Sequence, residues 1–234
     1  MITYKCKNCD GLETETSVCP VCGQRTELYS SVIYYCHHCN APSFYETCPV
    51  CGEKCNPIGT DVRPVFARER LLIECLEGNP MKYAGKAVWN ACNNTYYIDG
   101  EKHSVSFLKL KENKAEQVIK LLEQYENANK SYVDHDFENK WINSFLEVND
   151  VRLNSITDEA LNYIRTIANG FDATSMFVSF SGGKDSSVTS NLVRRALGTE
   201  RIMHIYGDTT LEYPVSKTYI QEFRTRFPNT PLLV

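Results

Sequence analysis

Residues 4–28 read YKCKNCDGLETETSVCPVCGQRTEL, and residues 34–58 read YYCHHCNAPSFYETCPVCGEKCNPI. The two stretches are one pattern written twice. The leading cysteines lie 30 positions apart (Cys6 and Cys36, Cys9 and Cys39) and the trailing ones 29 apart (Cys19 and Cys48, Cys22 and Cys51), so the second copy has lost one residue between its pairs. Each copy carries two C-x-x-C pairs, the second of them C-P-V-C-G. A C-x-x-C turn sets two thiolates on one knuckle, and glycine after the second cysteine permits the positive φ such a knuckle needs. Two knuckles 8–9 residues apart can close on one ion in the tetrahedron that structural zinc prefers. The expectation is one zinc site at Cys6, Cys9, Cys19 and Cys22 and another at Cys36, Cys39, Cys48 and Cys51. A four-cysteine set also suits an iron–sulfur centre, so spacing leaves both chemistries open. A segment of about 25 residues buries too little apolar surface to fold alone, and metal is expected to supply much of its folding energy. This reading places one zinc ribbon at 1–30 and a second at 31–60.

Composition narrows the setting. The chain has 234 residues, eleven cysteines and a formal net charge of −4, which disfavours a dominant, nonspecific nucleic-acid binder. No apolar run approaches the roughly 20 residues of a membrane span. The start, MITYKCKNCDG, has no secretory apolar stretch. An odd cysteine count with C-x-x-C pairing points to metal in a reducing, cytoplasmic setting rather than to disulfides. Residues 1–60 hold four basic side chains (Lys5, Lys7, Arg25, Lys54) against six acidic ones, which favours protein docking over DNA binding. RNA contact through Tyr34, Tyr35, His37, His38 and Phe44 is the competing reading for the ribbons. His37 and His38 read as solvated spacers. Cys55, Cys75 and Cys92 have no partner spacing, and Cys75 and Cys92 are expected to be buried as small hydrophobes.

Residues 56–66, NPIGTDVRPVF, read as a linker or domain entry. Residues 67–80 fit a short helix ended by Gly78 and Pro80. KAVWNA (86–91), NTYYID (94–99) and HSVSFLKL (103–110) fit strands, with Asp99-Gly100 as a hairpin turn. The expectation for 61–110 is a small α+β module, with Arg63, Arg68 and Arg70 as either a basic patch or a solvated face. Residues 111–170 read as a helical segment. Ala115, Val118, Ile119, Leu122 and Tyr125 recur near helical spacing, as do Phe137, Trp141, Phe145 and Val148. A third helix is expected from Ser155 or Thr157 to about Gly170.

The last stretch, 171–234, changes character. Met176–Phe180 reads as a buried strand, SGGKDS (181–186) as a tight turn, Ser187–Leu197 as a helix and Arg201–Tyr206 as a strand. Pro214 opens a helix to about Phe227, and PLLV (231–234) begins a further strand. Strand, helix, strand, helix, strand is the order of a parallel α/β unit. Between strand and helix, Gly182 and Gly183 let backbone amides approach an anion, and the helix start adds unpaired N–H groups. Ser179, Ser181 and Ser186 offer hydroxyls or sit beside them. Lys184 offers charge to phosphate oxygens, and Asp185 can cap the helix or hold Mg²⁺. The stretch matches neither the Walker A spacing nor G-x-G-x-x-G.

Ser179–Val188, SFSGGKDSSV, resembles the PP-loop of the ATP pyrophosphatase superfamily. Gly207-Asp208-Thr209-Thr210 with Glu212-Tyr213-Pro214 resembles the second motif of its phosphoadenosine phosphosulfate (PAPS) reductase-like branch. The resemblance covers 171–234. It implies a partial Rossmann-like, adenine nucleotide alpha hydrolase-like parallel sheet. It implies an adenine nucleotide, ATP or PAPS, with phosphates on Ser181–Ser186 and Asp208 and Thr209 beside it. Lys184 and Asp185 would be the catalytic pair, with Mg²⁺. An intact S-G-G-K-D-S goes with ATP cleavage between the α and β phosphates, and so with adenylyl transfer in sulfur or nucleic-acid modification chemistry. No cysteine follows Cys92, so sulfonucleotide reduction is not supported by these residues. Reduction using residues outside this chain, and a non-enzymatic zinc-ribbon interaction protein, are the alternatives. Because such sheets have more strands than are visible here, a partner or a further C-terminal half is expected to complete it.

Overall fold

The computed structural model describes residues 2–92, 94–107, 115–128 and 135–234. The chain divides into two compact units, Met1–Asp150 and Val151–Val234. It is a mixed α/β protein with cysteine clusters at its N-terminus and a three-stranded parallel sheet at its C-terminus.

In the first unit the repeat becomes a repeated fold. β1 (Ile2–Cys6) pairs antiparallel with β2 (Leu12–Thr14) and β3 (Glu27–Ser31), and β4 (Ile33–Cys36) pairs in the same way with β5 (Ala41–Ser43) and β6 (Asn56–Gly59). The register shift falls at Thr3/Tyr4 in one copy and at Ile33/Tyr34 in the other. After each C-x-x-C the chain enters the left-handed region, at Asp10 (φ 49°), Gly23 (69°), Asn40 (52°) and Gly52 (79°). Glycine takes that conformation without strain, and Asn and Asp tolerate it best among the others. Residues 56–66 are not a linker. They supply β6 and then β7 (Arg63–Pro64), and Pro57 and Pro64 are accommodated because both are edge strands.

The middle module is an antiparallel sheet in the order β10-β9-β8-β7, where β8 is Val88–Asn90, β9 is Thr95–Ile98 and β10 is Glu101–Ser104. Asp99 (φ 48°) and Gly100 (φ 85°) close β9 onto β10 as a two-residue hairpin turn. The strand expected over 103–110 stops at Ser104, and 108–110 lie outside the described residues. Helix α1 (Ala67–Glu77) and helix α2 (Ala115–Ala128) cover one face, with Leu71, Ile73, Leu76 and Val118 packed on Val88, Tyr96 and Ile98. Ile119, read as part of the apolar stripe, is exposed. The other face presents Trp89 and Tyr97, paired across β8 and β9, to the second ribbon and to helix α3 (His135–Val148). The sheet is thus apolar on both faces because both are covered. Arg70 is buried, whereas Arg63 and Arg68 are exposed, Arg63 in a two-pronged pair with Glu69 at 2.7 Å, so the three arginines do not share one face.

Helix α3 joins the second ribbon to the module. Trp141 packs with Ile33, Tyr35 and Trp89, and Val148 packs with Cys36, Ala41 and Cys48. Asn149, fully buried, ends the helix. Its Nδ2 donates to Pro42 O (2.9 Å) and Phe145 O (2.8 Å), and its Oδ1 accepts the Phe44 N–H (2.8 Å). One side chain therefore satisfies the outer edge of β5. The Tyr35 ring is buried and Phe44 packs on Phe145, so these two are committed to packing rather than to stacking on RNA.

Helix α4 (Asp150–Ala168) starts well before the expected Ser155 or Thr157, with Asp150 supplying the acidic first turn. In the second unit β11 (Phe177–Ser179), β12 (Met203–Ile205) and β13 (Leu232–Leu233) pair in parallel, in chain order. Helix α5 (Lys184–Leu197) follows β11 and helix α6 (Pro214–Arg226) follows β12. Alternation sends Val178, Phe180, Ile202, His204 and Tyr206 inward. Phe180, His204 and Phe223 stack in the core, ring centroids 4.3–5.6 Å apart. The His204 imidazole lies between Ile202 O (2.8 Å) and Ser190 Oγ (2.8 Å). Since a carbonyl only accepts, Nδ1–H donates to Ile202, and in the neutral ring that burial favours Nε2 accepts from Ser190.

Two outcomes follow from this packing. Asn149→Ala leaves the buried Pro42 carbonyl of β5 and the part-buried Phe44 N–H just after it unmet and is expected to cost roughly 2–4 kcal/mol, read as a lower denaturation midpoint with an unchanged denaturant slope. Burial, and secondarily Arg194, hold His204 below its ordinary 6.5. The unfolded chain then binds the extra proton first, so this contribution to stability is complete above pH 6.5 and declines as pH falls below it. Denaturation of wild type and His204→Gln between pH 5 and 8 checks this, the variant losing that part of the slope.

Candidate functional site

The structure brings the eight paired cysteines into two tetrads. Cys6, Cys9, Cys19 and Cys22 present sulfurs that all lie within 4.8 Å of one another, and so do Cys36, Cys39, Cys48 and Cys51. In each tetrad the amides of the C-P-V-C knuckle turn inward. The N–H groups of Cys22 and Val21 pull the Cys19 thiol down to about 6. At Cys48 burial works the other way, but the N–H groups of Cys51 and Val50 outweigh it and lower the thiol. The remaining shifted thiols move upward. Cys9 is pushed up to about 12 by its hydrogen bond with Cys22 and by burial, and Cys39 to about 12 by burial and by Cys48. Cys6 and Cys36 are raised by burial. Crowded thiols can share little negative charge unless a cation joins them, and four soft donors at tetrahedral spacing fit zinc. Both tetrads are compatible with structural metal sites of this kind.

The two centres differ in support. Tyr35 OH donates to Asn40 Oδ1 (2.5 Å), and Asn40 Nδ2 donates to Asp99 Oδ1 (3.2 Å), which ties the second knuckle to the module's hairpin turn. A Cβ on Gly100 would lie 2.6 Å from the Tyr35 ring, so only glycine admits this approach. The first ribbon exposes Leu12, Val18, Val21 and Leu28. His37 and His38 are exposed and belong to neither tetrad; His37 Nε2 lies 3.3 Å from Asn56 Nδ2. Cys75 is buried, as its isolation suggested, but Cys92 is exposed. It sits in a turn at φ 50°, where the chain reverses between β8 and β9. Cys55 is buried against the second tetrad, which spacing did not reveal.

The glycine-rich turn of the second unit is shorter than read. Helix α5 begins at Lys184 with Gly183 as its extended cap, so Lys184, Asp185 and Ser186 form its first turn and Ser181–Gly183 alone is loop. Gly182 holds φ 74°, and a Cβ there would press on Ile220 at 3.1 Å and Tyr219 at 3.3 Å. Ser186 Oγ donates to Gly183 O (3.0 Å) and lies 3.2 Å from Ser181 Oγ, while the Gly183 N–H reaches Ser181 Oγ at 3.4 Å. Lys184 Nζ and Asp185 Oδ1 pair at 2.7 Å with both side chains nearly fully exposed. Ser179 ends β11 and is in register with Ile205 of β12. The strands are parallel, so Ser181–Gly183 and Gly207–Thr210 leave the sheet at the same carboxyl edge. There Asp208 Oδ1 accepts the Thr210 N–H (2.7 Å) and faces Lys217 Nζ (3.8 Å), and Thr209 Oγ1 donates to Glu212 (3.0 Å). Lys217 and Tyr219, whose hydroxyl lies 3.0 Å from Ser187 Oγ, were not anticipated; both come from helix α6.

No family model, curated protein or solved structure matches this chain. No described helix is long and apolar enough to cross a membrane.

Metal removal separates the two ribbons. Zinc analysis is expected to give two ions per chain, falling to one in Cys19→Ser. A chelator should then open the first ribbon to limited proteolysis while the second, held by Trp141, Val148 and Asn149, resists.

Proposed function

We propose that this chain binds an adenine nucleotide at the carboxyl edge of its C-terminal parallel sheet and transfers the nucleotide's adenylyl group to an oxyanion acceptor. In this reading the second unit is a partial Rossmann-like, PP-loop domain of PAPS reductase-like type, and the two tetrads are structural zinc ribbons that dock a partner. The observation that carries it is the junction at Ser181–Ser186. The strand there is buried on one side only, with Val178 and Phe180 inward and Phe177 and Ser179 exposed, rather than wholly buried as expected. It passes through a positive-φ glycine directly into a helix whose first turn is Lys184-Asp185-Ser186. The first amides of a helix have no partner within it and carry partial positive charge, which suits phosphate oxygens.

The roles follow from position. The amides of the loop and first turn, with the Ser181 and Ser186 hydroxyls, would hold the phosphates. The Lys184–Asp185 pair is exposed and weakly worth keeping. Lys184 can therefore turn to a phosphate oxygen and Asp185 to a Mg²⁺ ion, which would supply charge neutralisation on the phosphates. Attack of the acceptor oxygen on the α-phosphorus forms the new P–O bond as the α–β bridge breaks and pyrophosphate leaves. Lys184 and the loop amides stabilise the charge that develops there. Asp208 and Thr209 share that edge and suit contact with the adenosine. The match of Ser179–Val188 to the ATP-cleaving pattern favours ATP over PAPS, and the ribbons' acidic balance favours a protein partner over nucleic acid.

ATP–pyrophosphate exchange tests the reading. Wild type should exchange label in the presence of Mg²⁺ and sulfate as the oxyanion acceptor, and Lys184→Ala should lose at least about 100-fold, the usual scale for removing one charge-stabilising donor. Cys19→Ser should retain exchange. Absence of exchange together with absence of any ATP-dependent rise in melting temperature would refute it.

A further inference from the structure

Just past the end of β12 stands a phenol whose hydroxyl is left over. Tyr206 is 4% exposed and packs with Phe180, Ile220 and Phe223. Its buried hydroxyl has no hydrogen-bond partner among the described residues. A buried O–H left unpaired carries its full desolvation cost. Burial, and then the charges of Glu212 and Asp208, push the phenol above its ordinary 10, so it keeps its proton and remains a donor. Two carboxylates therefore act on a donor from which neither accepts.

Both are engaged within the segment 207–213. Asp208 Oδ1 accepts the Thr210 N–H at 2.7 Å and faces Lys217 Nζ at 3.8 Å. Glu212 Oε1 accepts the Thr209 hydroxyl at 3.0 Å, an exposed bond for which water competes. Glu212 is thus the more loosely held of the two, and its charge is the one that acts more strongly on Tyr206. The segment is also under strain. Thr210 takes φ 66°, a left-handed conformation that is costly for a β-branched residue. Leu211 and Tyr213 stand in solvent. The Thr209 hydroxyl, which suits contact with the adenosine, is here turned to Glu212.

We propose that Tyr206 is a positioning residue for the nucleotide: when ATP binds, Glu212 passes from the Thr209 hydroxyl to the Tyr206 hydroxyl, which frees Thr209 to bond the adenosine and draws the segment 207–213 inward as a latch. The inference rests on the reading of this sheet edge as a nucleotide site. Only hydrogen bonds change hands. Tyr206 O–H gains a carboxylate acceptor, Thr209 O–H turns to an acceptor on the adenosine, and no proton is transferred. The Tyr206–Glu212 bond is the stronger one because it is shielded from water. ATP biases the latch because its contact with Thr209 exists only in the latched state.

Binding of ATP with Mg²⁺ by the full chain tests it, read as the dissociation constant beside the melting temperature without ATP. Tyr206→Phe deletes one oxygen. Without ATP it should melt at or above the wild-type temperature, because the hydroxyl it removes is unpaired there. It should bind ATP about tenfold more weakly, the scale of one hydrogen bond to a charged group. Glu212→Ala alone should not tighten ATP binding, since the latch is lost together with the competitor for Thr209. Added to Tyr206→Phe, the same change should tighten it, since only the competitor is then removed. Tyr206→Phe with wild-type affinity, Tyr206→Phe melting well below wild type without ATP, or Glu212→Ala acting alike in both backgrounds overturns the latch. A wild-type chain that binds no ATP refutes the nucleotide reading itself and the latch with it, a result distinct from the other three.

Discussion

Eight thiols drawn into two groups of four, each group within 4.8 Å, are the constraint on which the N-terminal third depends. Such crowding is unfavourable for sulfur alone, because each thiolate formed raises the cost of the next. The knuckle amides relieve part of this at Cys19 and Cys48 and leave the others raised. A divalent cation, with which both tetrads are compatible, would relieve the rest and turn a repulsive cluster into a folding nucleus. The left-handed residues after each C-x-x-C exist to aim the sulfurs, and the short strands around them have little other reason to pair.

The two ribbons show how one local fold acquires two roles. Their registers, bulges and turns agree, so the difference lies in what packs on them. The second is inserted between a sheet face carrying Trp89 and Tyr97 and a helix ending in Asn149. It has become part of a larger core, and its metal would be reinforced by apolar burial. The first is left with exposed Leu12, Val21 and Leu28 on its surface.

In the second unit, parallel pairing does the positioning. Because β11 and β12 run the same way, the turns that follow them emerge at one edge, and two motifs 26 residues apart become neighbours of the same sheet margin (Asp208 follows Gly182 by that interval). Helix α6 supports the glycine turn from the side through Ile220 and Tyr219. Buried His204 under Ser190 fixes the strand–helix contact with a neutral ring. These contacts leave Lys184 and Asp185 at the surface, where the first helical turn offers its amides.

Spacing alone determined the two cysteine tetrads, the antiparallel hairpin at Asp99-Gly100 and the strand–turn–helix order of the last stretch. Each is a local pattern whose geometry is set within a few residues. The tertiary structure decided what those patterns could not carry. Arg70 and Tyr35 are buried because a helix and a sheet close over them, and charge or aromatic character in a sequence does not say which face will be covered. Residues 56–66 became edge strands since a proline can stand where no ladder bond is required. Cys55 packed against the second cysteine tetrad and Asn149 capped a strand 105 residues away, for a contact made across the fold leaves no period or spacing in the chain to read.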